Sequence, residues 1–186
     1  IYGERSRTMQ SYVEHLNCAM RLLAQDKRTI FIGQTVLYPG SAMHKTLCGM
    51  PKERCIELPV FEDTQMGISI GLSLMGYIPI SVYPRFDFLL CAMNQLVNHL
   101  DKCAEMTHGE FAPKVIIRTA VGSKTPLYPG VQHCQDYTEA CKILLKIVRV
   151  VVLEQVADIL PAYEKTLGDE HSYLIIEKAD LYESMA

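Results

Sequence analysis

The sequence lacks a large excess of charge of either sign, and it also lacks a long apolar run. Its 186 residues carry a formal net charge of -3, which gives no electrostatic argument for binding nucleic acid or an anionic membrane. No apolar stretch reaches the roughly 18 residues that a membrane-spanning helix needs. Hydrophobic residues make up 49% and charged residues 21%, which is ordinary for a globular protein. We therefore predict neither a nucleic-acid partner nor a membrane partner.

The seven cysteines lack the CxxC spacing that marks many zinc sites and redox centres. Their odd number and scattered positions argue against a disulfide framework and favour reduced thiols in a cytoplasmic compartment. We expect most of them to be buried as small hydrophobic side chains. The amino terminus has no apolar signal-peptide core and no initiator methionine, so the chain can be a piece of a longer natural product.

Short motifs of several enzyme classes are also missing. The sequence contains no GxxxxGK phosphate loop, no GxSxG nucleophile elbow and no HExxH metal motif. The glycines at 67, 71 and 76 do not form a GxGxxG turn. Their spacing instead suits a helix that packs closely against a sheet.

The apolar residues alternate between strand and helix periods along the chain. This pattern predicts one domain over residues 1–186 with a three-layer αβα fold, in which a mostly parallel six-stranded sheet has helices on both faces. The predicted strands are 28–33, 54–60, 77–84, 114–121, 148–153 and 172–178. The predicted helices are 5–25 (with Met9 on its apolar side), about 63–76, 86–106, 136–145 and 154–166.

Ligands of such sheets normally bind at the loops beyond the carboxyl ends of the strands. Here those loops are 33–45, 83–88 and 121–135. The polar groups nearest to them are Gln34, Glu62, Asp63, Arg85, Asp87, Arg118 and His133. These residues form a candidate ligand site, but they do not indicate which ligand it binds or which reaction it catalyses.

Glu62 and His133 each have a structural interpretation as well as a functional one. An acid at a helix start is most often a cap or a partner of the helix dipole, which contributes about 0.3–1 kcal/mol. A histidine in a loop rich in glycine is more often a hydrogen-bonded loop residue than a catalyst. On these residues alone, both interpretations stay open.

The stretch "PVFEDTQMGISIGLSLMGYIPI" (59–80) carries Pro59, Glu62 and spaced glycines. It resembles the segment of the transketolase-like pyrimidine-binding domain that contains the catalytic glutamate of thiamine diphosphate enzymes. It is most similar to the beta subunit of the decarboxylating component of 2-oxoacid (pyruvate) dehydrogenases. Four further segments match that family in the same order: "IFIGQTV", "VYPRFDFLLCAMNQLVNHLDK", "PKVIIRTAVG" and "PGVQHCQ". The resemblance spans about residues 8 to 180.

The resemblance implies thiamine diphosphate as the cofactor and assigns roles to several residues. Glu62 would hydrogen-bond the N1′ atom of the aminopyrimidine and so promote ylid formation and attack on a carbonyl. This requires a carboxyl group held in a mostly apolar pocket. Phe88 is the best match for the aromatic face under the pyrimidine, with Tyr83 and Phe86 as neighbours and Gln34 in the adjacent turn. His133 matches a second catalytic residue on the substrate side.

The departures from the family concern charge and missing segments. Gln34 and Thr35 stand where the beta subunits usually have two acids. These residues contain no GDG…N motif, and we expect them to hold the pyrimidine-binding domain alone, without the diphosphate-binding and C-terminal transketolase domains, so no metal ligand is assigned. The resemblance then implies that Mg²⁺ and the diphosphate are held by an alpha-type subunit or domain. The resemblance also implies that the chain assembles into a homodimer or a heterotetramer, and that the enzyme acts on a 2-oxoacid or a ketose phosphate.

Two alternatives remain at this point. In one, the chain is a non-catalytic binding or regulatory module that keeps this fold, as Gln34 and Thr35 would allow. In the other, it is an unrelated flavodoxin-like α/β domain in which Glu62 only caps its helix, with Asp63 beside it. If Glu62 does face a cofactor, Asp63 becomes the better candidate for the helix cap.

Overall fold

The computed structural model describes residues 11–125 and 128–182, and within them six strands form one sheet. The strands are β1 (Thr29–Gly33), β2 (Cys55–Glu57), β3 (Ile78–Tyr83), β4 (Ile116–Val121), β5 (Arg149–Leu153) and β6 (Tyr173–Lys178). Their order is β2-β1-β3-β4-β6-β5, and each neighbouring pair is parallel. The predicted six-stranded sheet is confirmed.

Helices connect these strands as the apolar periods predict. They are α1 (Tyr12–Leu23), α2 (Glu62–Leu74), α3 (Phe86–Leu89), α4 (Cys103–Met106), α5 (Thr138–Leu144) and α6 (Val156–Gly168). The first part of the predicted helix 5–25, including Met9, lies outside the described residues. Among the described residues, no helix has the length and apolar character required to cross a membrane.

The sheet separates two hydrophobic cores, which confirms the three-layer architecture. On one face, α1 and α6 pack over β1, β3, β4 and β6. On the other face, α2, α5 and the segment 86–106 cover the sheet. Successive residues of a strand point to opposite faces, so Ile116 lies in the first core and Ile117 in the second.

The long helix predicted over 86–106 is instead divided into several pieces. After α3, Leu90–Ala92 is a 3₁₀ turn and Asn94–Leu100 is π-helical, followed by α4. In the widened turn, the Asp101 amide bonds the Leu96 carbonyl, five residues back, at 3.0 Å. The prediction of a single continuous helix over 86–106 is therefore wrong.

The cysteines differ from expectation in their exposure. All seven are free thiols, but only Cys55 and Cys141 are buried. Cys48 and Cys91 are exposed, because they lie on outward-facing parts of short helical segments. The expectation that most cysteines are buried is wrong.

Asp101 joins the widened helix to the segment that leads into β5. Its fully buried carboxylate accepts hydrogen bonds from the amides of Lys146, Ile147 and Val148 at 2.8–2.9 Å. Burial alone would raise the pKa of Asp101, but the hydrogen bonds from Lys102 and these three amides lower it below its usual value. The ionised carboxylate therefore holds the start of β5 in place.

We expect Asp101→Asn to destabilise the fold by about 1–3 kcal/mol, because one amide oxygen cannot accept all of these bonds. The folded-state pKa is lowered, so the wild-type carboxylate contributes stability above its unfolded-state pKa of about 4 and loses it as pH falls through the folded value. Urea unfolding between pH 2 and 7 should thus show a weaker loss of stability in acid for the variant. The exposed acid Glu164, changed to Gln, should shift stability by less than about 0.5 kcal/mol. Equal stability and equal acid dependence of Asp101→Asn and wild type would contradict this role.

Candidate functional site

A cavity lies at the carboxyl edge of the sheet, where the strand order reverses around β1. Its lining residues come from segments after β1, β2, β3, β4 and β6. They are Gln34, Thr35, Gly40, Ser41, Ala42, Met43, Glu62, Tyr83, Pro84, Arg85, Phe88, Ala120, Gly122, Ser123, Ala179 and Tyr182. All three loops predicted from the sequence contribute to this cavity. The turn after β6, with Tyr182, was not predicted.

Glu62 is the first residue of α2 and lines the cavity. Only 6% of its surface is exposed. Gln34 Nε2 donates a hydrogen bond to Glu62 Oε1 at 3.0 Å, and the Tyr83 hydroxyl donates to the Glu62 carbonyl at 3.3 Å. The carboxyl group is therefore held on one oxygen, in a mostly buried position beside the cavity.

Asp63 does not cap α2, which corrects the sequence-based assignment. The residue at the helix N-cap is Phe61, and no side chain makes a capping bond there. Asp63 is the second residue of the helix, and its Oδ2 accepts a bond from Gln95 Nε2 at 3.3 Å. The helix begins one residue earlier than predicted, so the acid that faces the cavity also starts the helix.

The turn at the end of β1 lies so close to β3 that only glycine fits at position 33. A Cβ atom at Gly33 would lie 2.3 Å from the Val82 carbonyl oxygen and 2.8 Å from Gln65 Nε2. Gly33 also has φ +143°, a conformation that favours glycine. Gln65 Nε2 donates to the Val82 carbonyl at 3.0 Å and to Ser81 Oγ at 3.1 Å. These contacts fix the turn from which Gln34 reaches Glu62.

Glu57, at the end of β2, shapes the loop that carries Gln34. Its two carboxylate oxygens accept the amides of Thr35 at 2.6 Å and Leu37 at 2.7 Å. Thr35, with φ 58°, also bonds Ser41 Oγ at 2.6 Å. Thr35 therefore takes part in loop structure. Sequence reasoning missed Glu57, although an acid that ends an apolar strand at the ligand-binding edge is a usable signal.

The three aromatic residues after β3 have different environments. Phe88 lines the cavity and is 40% exposed. Tyr83 is buried at its wall, where burial raises its pKa above the ordinary value, so it remains a neutral hydrogen-bond donor. Phe86 is fully buried in the second core, edge-on to Tyr137 with ring centroids 5.7 Å apart. Phe86 thus supports the wall from behind and does not line the cavity.

His133 packs against the cavity without lining it. Its ring meets Phe88 edge to face, with centroids 5.3 Å apart. Its Nδ1 atom is buried and has no hydrogen-bond partner in the described part of the chain. The His133 carbonyl accepts a bond from the Arg85 guanidinium at 3.1 Å. The structure therefore brings His133, Phe88 and Arg85 together.

A buried ion pair lies beneath the opposite wall. The Arg118 guanidinium contacts Glu177 Oε1 at 2.7 Å and donates to Thr46 Oγ1 at 2.9 Å. Tyr163 and Tyr182 both donate to Glu177. Burial alone would lower the pKa of Arg118, but the Glu177 carboxylate raises it above its usual range. This pair ties β4, β6 and the loop after β1 together under the cavity.

Gly33→Ala should destabilise the fold by about 2–4 kcal/mol, because the added Cβ collides with the Val82 carbonyl in a backbone conformation unfavourable to alanine. The matched control is Gly71→Ala within α2, where a Cβ meets no atom within 4 Å. That change should stabilise the fold by about 0.5–1 kcal/mol, because alanine favours helix. Chemical denaturation of both variants checks the opposite signs. A Gly33→Ala variant as stable as the wild type would refute the steric constraint at this position.

Glu177→Gln should cost about 3–5 kcal/mol, because it leaves the buried Arg118 guanidinium without its counter-charge. Glu164→Gln, an exposed change on α6, should stay within about 0.5 kcal/mol of wild type. Thermal and urea unfolding measure both. Similar stabilities of the two variants would show that the pair does not support this wall.

Comparison with known proteins agrees with the geometry. No protein-family model matches the chain. The 3-methyl-2-oxobutanoate dehydrogenase subunit beta of Mycobacterium tuberculosis is 29% identical over 136 residues, covering 70% of this chain and 37% of that protein. The 2-oxoisovalerate dehydrogenase subunit beta of Bacillus subtilis is 25% identical over 180 residues, covering 94% of this chain and 54% of that protein. The chain thus spans only about a third to a half of these curated relatives.

Solved structures identify the fold. A split-gene transketolase, described as an inactive beta4 tetramer, matches with a TM-score of 0.68 at 18% identity, over 91% of this chain and 51% of that one. A thiamine diphosphate-dependent 4-hydroxybenzoylformate decarboxylase of Rhodococcus jostii matches with a TM-score of 0.63 at 14% identity, over 93% and 31%. The fold is that of the transketolase-like domains of such enzymes.

The sequence relatives belong to a narrower group of proteins than the structures that share the fold. The homologues are beta subunits of pyruvate and 2-oxoisovalerate dehydrogenases. Sequence relatives and fold together are consistent with a transketolase-like pyrimidine-binding domain. The resemblance drawn from five motifs is confirmed.

Proposed function

We propose that this chain supplies the pyrimidine-binding half of a thiamine-diphosphate-dependent enzyme of the 2-oxoacid dehydrogenase or transketolase type. One observation carries the proposal. The Glu62 carboxyl group, 6% exposed, and the Phe88 ring, 40% exposed, line one cavity at the carboxyl edge of the sheet. The homology to dehydrogenase beta subunits supports the same assignment.

The residues of the cavity fit the aminopyrimidine part of that cofactor. An aromatic heterocycle needs an aromatic or apolar face to stack on, which Phe88 offers. Its ring nitrogens need a hydrogen-bonding partner, which Glu62 offers. When bound, thiamine diphosphate supplies the carbanion chemistry by which a carbonyl carbon is attacked and the charge is stored.

Glu62 would hold a proton at the N1′ position of the pyrimidine. Because Gln34 donates to Oε1, the other oxygen, Oε2, is left for the ring. The Tyr83 hydroxyl anchors the start of α2 through its bond to the Glu62 carbonyl. Preorganised groups of this kind contribute to catalysis because they do not reorganise during the reaction.

His133 is proposed as the group that handles a proton or charge on the substrate side. Its buried Nδ1 atom has no hydrogen-bond partner among the described residues, so no protein group competes for this nitrogen. The ring is held edge-on by Phe88, next to the proposed position of the pyrimidine.

The remaining half of the site is proposed to come from a diphosphate-binding partner. Its place is an alpha-type subunit or another domain, which would hold the diphosphate and Mg²⁺. The beta subunits to which this chain is similar suggest such a partner and an oligomeric assembly, either a heterotetramer or a homodimer. On this proposal the chain is active only when the partner is present, and its substrate is a 2-oxoacid or a ketose phosphate.

Glu62→Gln should lower turnover by roughly 10²- to 10⁴-fold, because an amide cannot hold or move the proton at N1′. The test mixes the chain with a diphosphate-binding partner, thiamine diphosphate and Mg²⁺, and assays a panel of 2-oxoacids and ketose phosphates. Asp63→Asn is the matched control, because Asp63 adjoins Glu62 but bonds Gln95 outside the cavity lining. That variant should keep activity within about tenfold of wild type.

Two outcomes would overturn the proposal. Activity of Glu62→Gln close to wild type, with folding intact by circular dichroism, would refute the role of the carboxyl group. Absence of turnover in every wild-type mixture, with cofactor bound at the cavity, would favour the non-catalytic module.

A further inference from the structure

The cavity contains one positive side chain among the described residues that line it. That side chain is Arg85, and Glu62 is the one negative side chain among the same described residues. The other polar lining groups are neutral amides and hydroxyls, namely Gln34, Thr35, Ser41, Ser123, Tyr83 and Tyr182. Gln34 already donates to Glu62. Among the described lining residues, Arg85 is therefore the charged group with which an anionic ligand could pair.

Arg85 is fixed in position but not neutralised. It follows Pro84 and takes an extended conformation as the N-cap residue of α3. One nitrogen of its guanidinium donates to the His133 carbonyl at 3.1 Å. Among residues 11–125 and 128–182 it forms no ion pair with a carboxylate. The nearby acid Asp87 accepts the Gln135 amide instead.

A guanidinium has five N–H donors in a fixed planar fork, and that fork matches a carboxylate with two parallel bonds. Arg85 uses one nitrogen for His133, so an edge of the fork remains for a ligand. A partly buried arginine that lacks a counter-charge binds an anion more strongly than an exposed one, because the surroundings screen less.

We propose that Arg85 is the residue that recognises the negative charge of the substrate, and that the charge is the carboxylate of a 2-oxoacid. This inference rests on the proposed function, because it takes the pyrimidine ring to lie on Phe88. It selects one of the two substrate classes left open there.

Proximity to the proposed reaction centre favours the carboxylate. Arg85 precedes Phe88 by three residues and is held by the residue whose ring lies 5.3 Å from the Phe88 ring. An anion paired with Arg85 would lie beside His133 and Phe88, on the side of the cavity where the proposed function places the reacting carbonyl. In a 2-oxoacid the carboxylate is bonded directly to that carbonyl, whereas a ketose phosphate carries its phosphate several bonds away.

The test measures ligand binding to the full chain in the absence of cofactor. The side-chain Nε–H signals of arginine are followed by ¹H–¹⁵N NMR during titration with pyruvate, methyl pyruvate or inorganic phosphate at constant ionic strength. Pyruvate should shift the Arg85 signal, and neutral methyl pyruvate should not. Arg85→Gln should weaken pyruvate binding at least tenfold, which corresponds to about 1.4 kcal/mol, and Arg85→Lys should recover part of it.

Arg28→Gln is the matched control, because Arg28 is exposed and paired with Asp26 at the opposite edge of the sheet. It should bind pyruvate as wild type does. Equal affinity of wild type and Arg85→Gln, or equal binding of pyruvate and its methyl ester, would overturn the proposal. Tighter binding of phosphate than of pyruvate would also overturn it, in favour of a phosphorylated substrate.

The two proposals fail separately. Loss of charge-selective binding would leave the cofactor role of Glu62 untouched, because the titration contains no cofactor. Wild-type activity of Glu62→Gln would refute the cofactor role of Glu62, but it would not change the conclusion that Arg85 binds the carboxylate of pyruvate.

Discussion

The tight packing of the turn after β1 against the end of β3 is the constraint on which the site depends. At Gly33 a single added carbon would collide with the Val82 carbonyl, and Gln65 joins the helix to that same carbonyl. Because the chain can turn there, Gln34 reaches the first residue of α2 and bonds the Glu62 carboxyl group. Glu62 is therefore a hydrogen-bonded, mostly buried acid at a helix start, where most acids are exposed partners of the helix dipole.

The other wall of the cavity depends on buried charge instead of close backbone packing. Arg118 and Glu177 lie two register positions apart on the neighbouring strands β4 and β6 and form an ion pair, and Tyr182 reaches from the cavity wall to the same carboxylate. Such a pair contributes little net stability but penalises any arrangement in which one partner is lost. The cavity thus has one wall set by steric fit and one set by electrostatics. Arg85 and Phe88 lie between them, on the segment after β3.

Much of the fold could be predicted because uniformly apolar runs leave few alternatives to buried parallel strands. The resemblance found from the sequence also placed Glu62 and Phe88 at one edge. The division of 86–106 could not be predicted from apolar spacing, because that spacing does not distinguish α-helical from 3₁₀ or π-helical turns. The bonds from the Asp101 carboxylate to amides 45 to 47 residues away are tertiary contacts that the spacing does not report either. Phe86 and Phe88 have the same chemistry in the sequence, and only tertiary packing, which includes the contact of Phe86 with Tyr137, separates the buried one from the one that lines the cavity. Glu57 and Glu177 act through tertiary contacts, which periodicity does not report.

The central claim is that the Glu62 carboxyl group and the Phe88 ring form the pyrimidine half of a thiamine diphosphate site. A crystal structure of this chain assembled with a diphosphate-binding partner, thiamine diphosphate and Mg²⁺ tests it most directly. The claim predicts an aminopyrimidine stacked on Phe88, with its N1′ atom within hydrogen-bonding distance of a Glu62 carboxylate oxygen. A cofactor bound elsewhere, with Glu62 still contacting only Gln34, would contradict it.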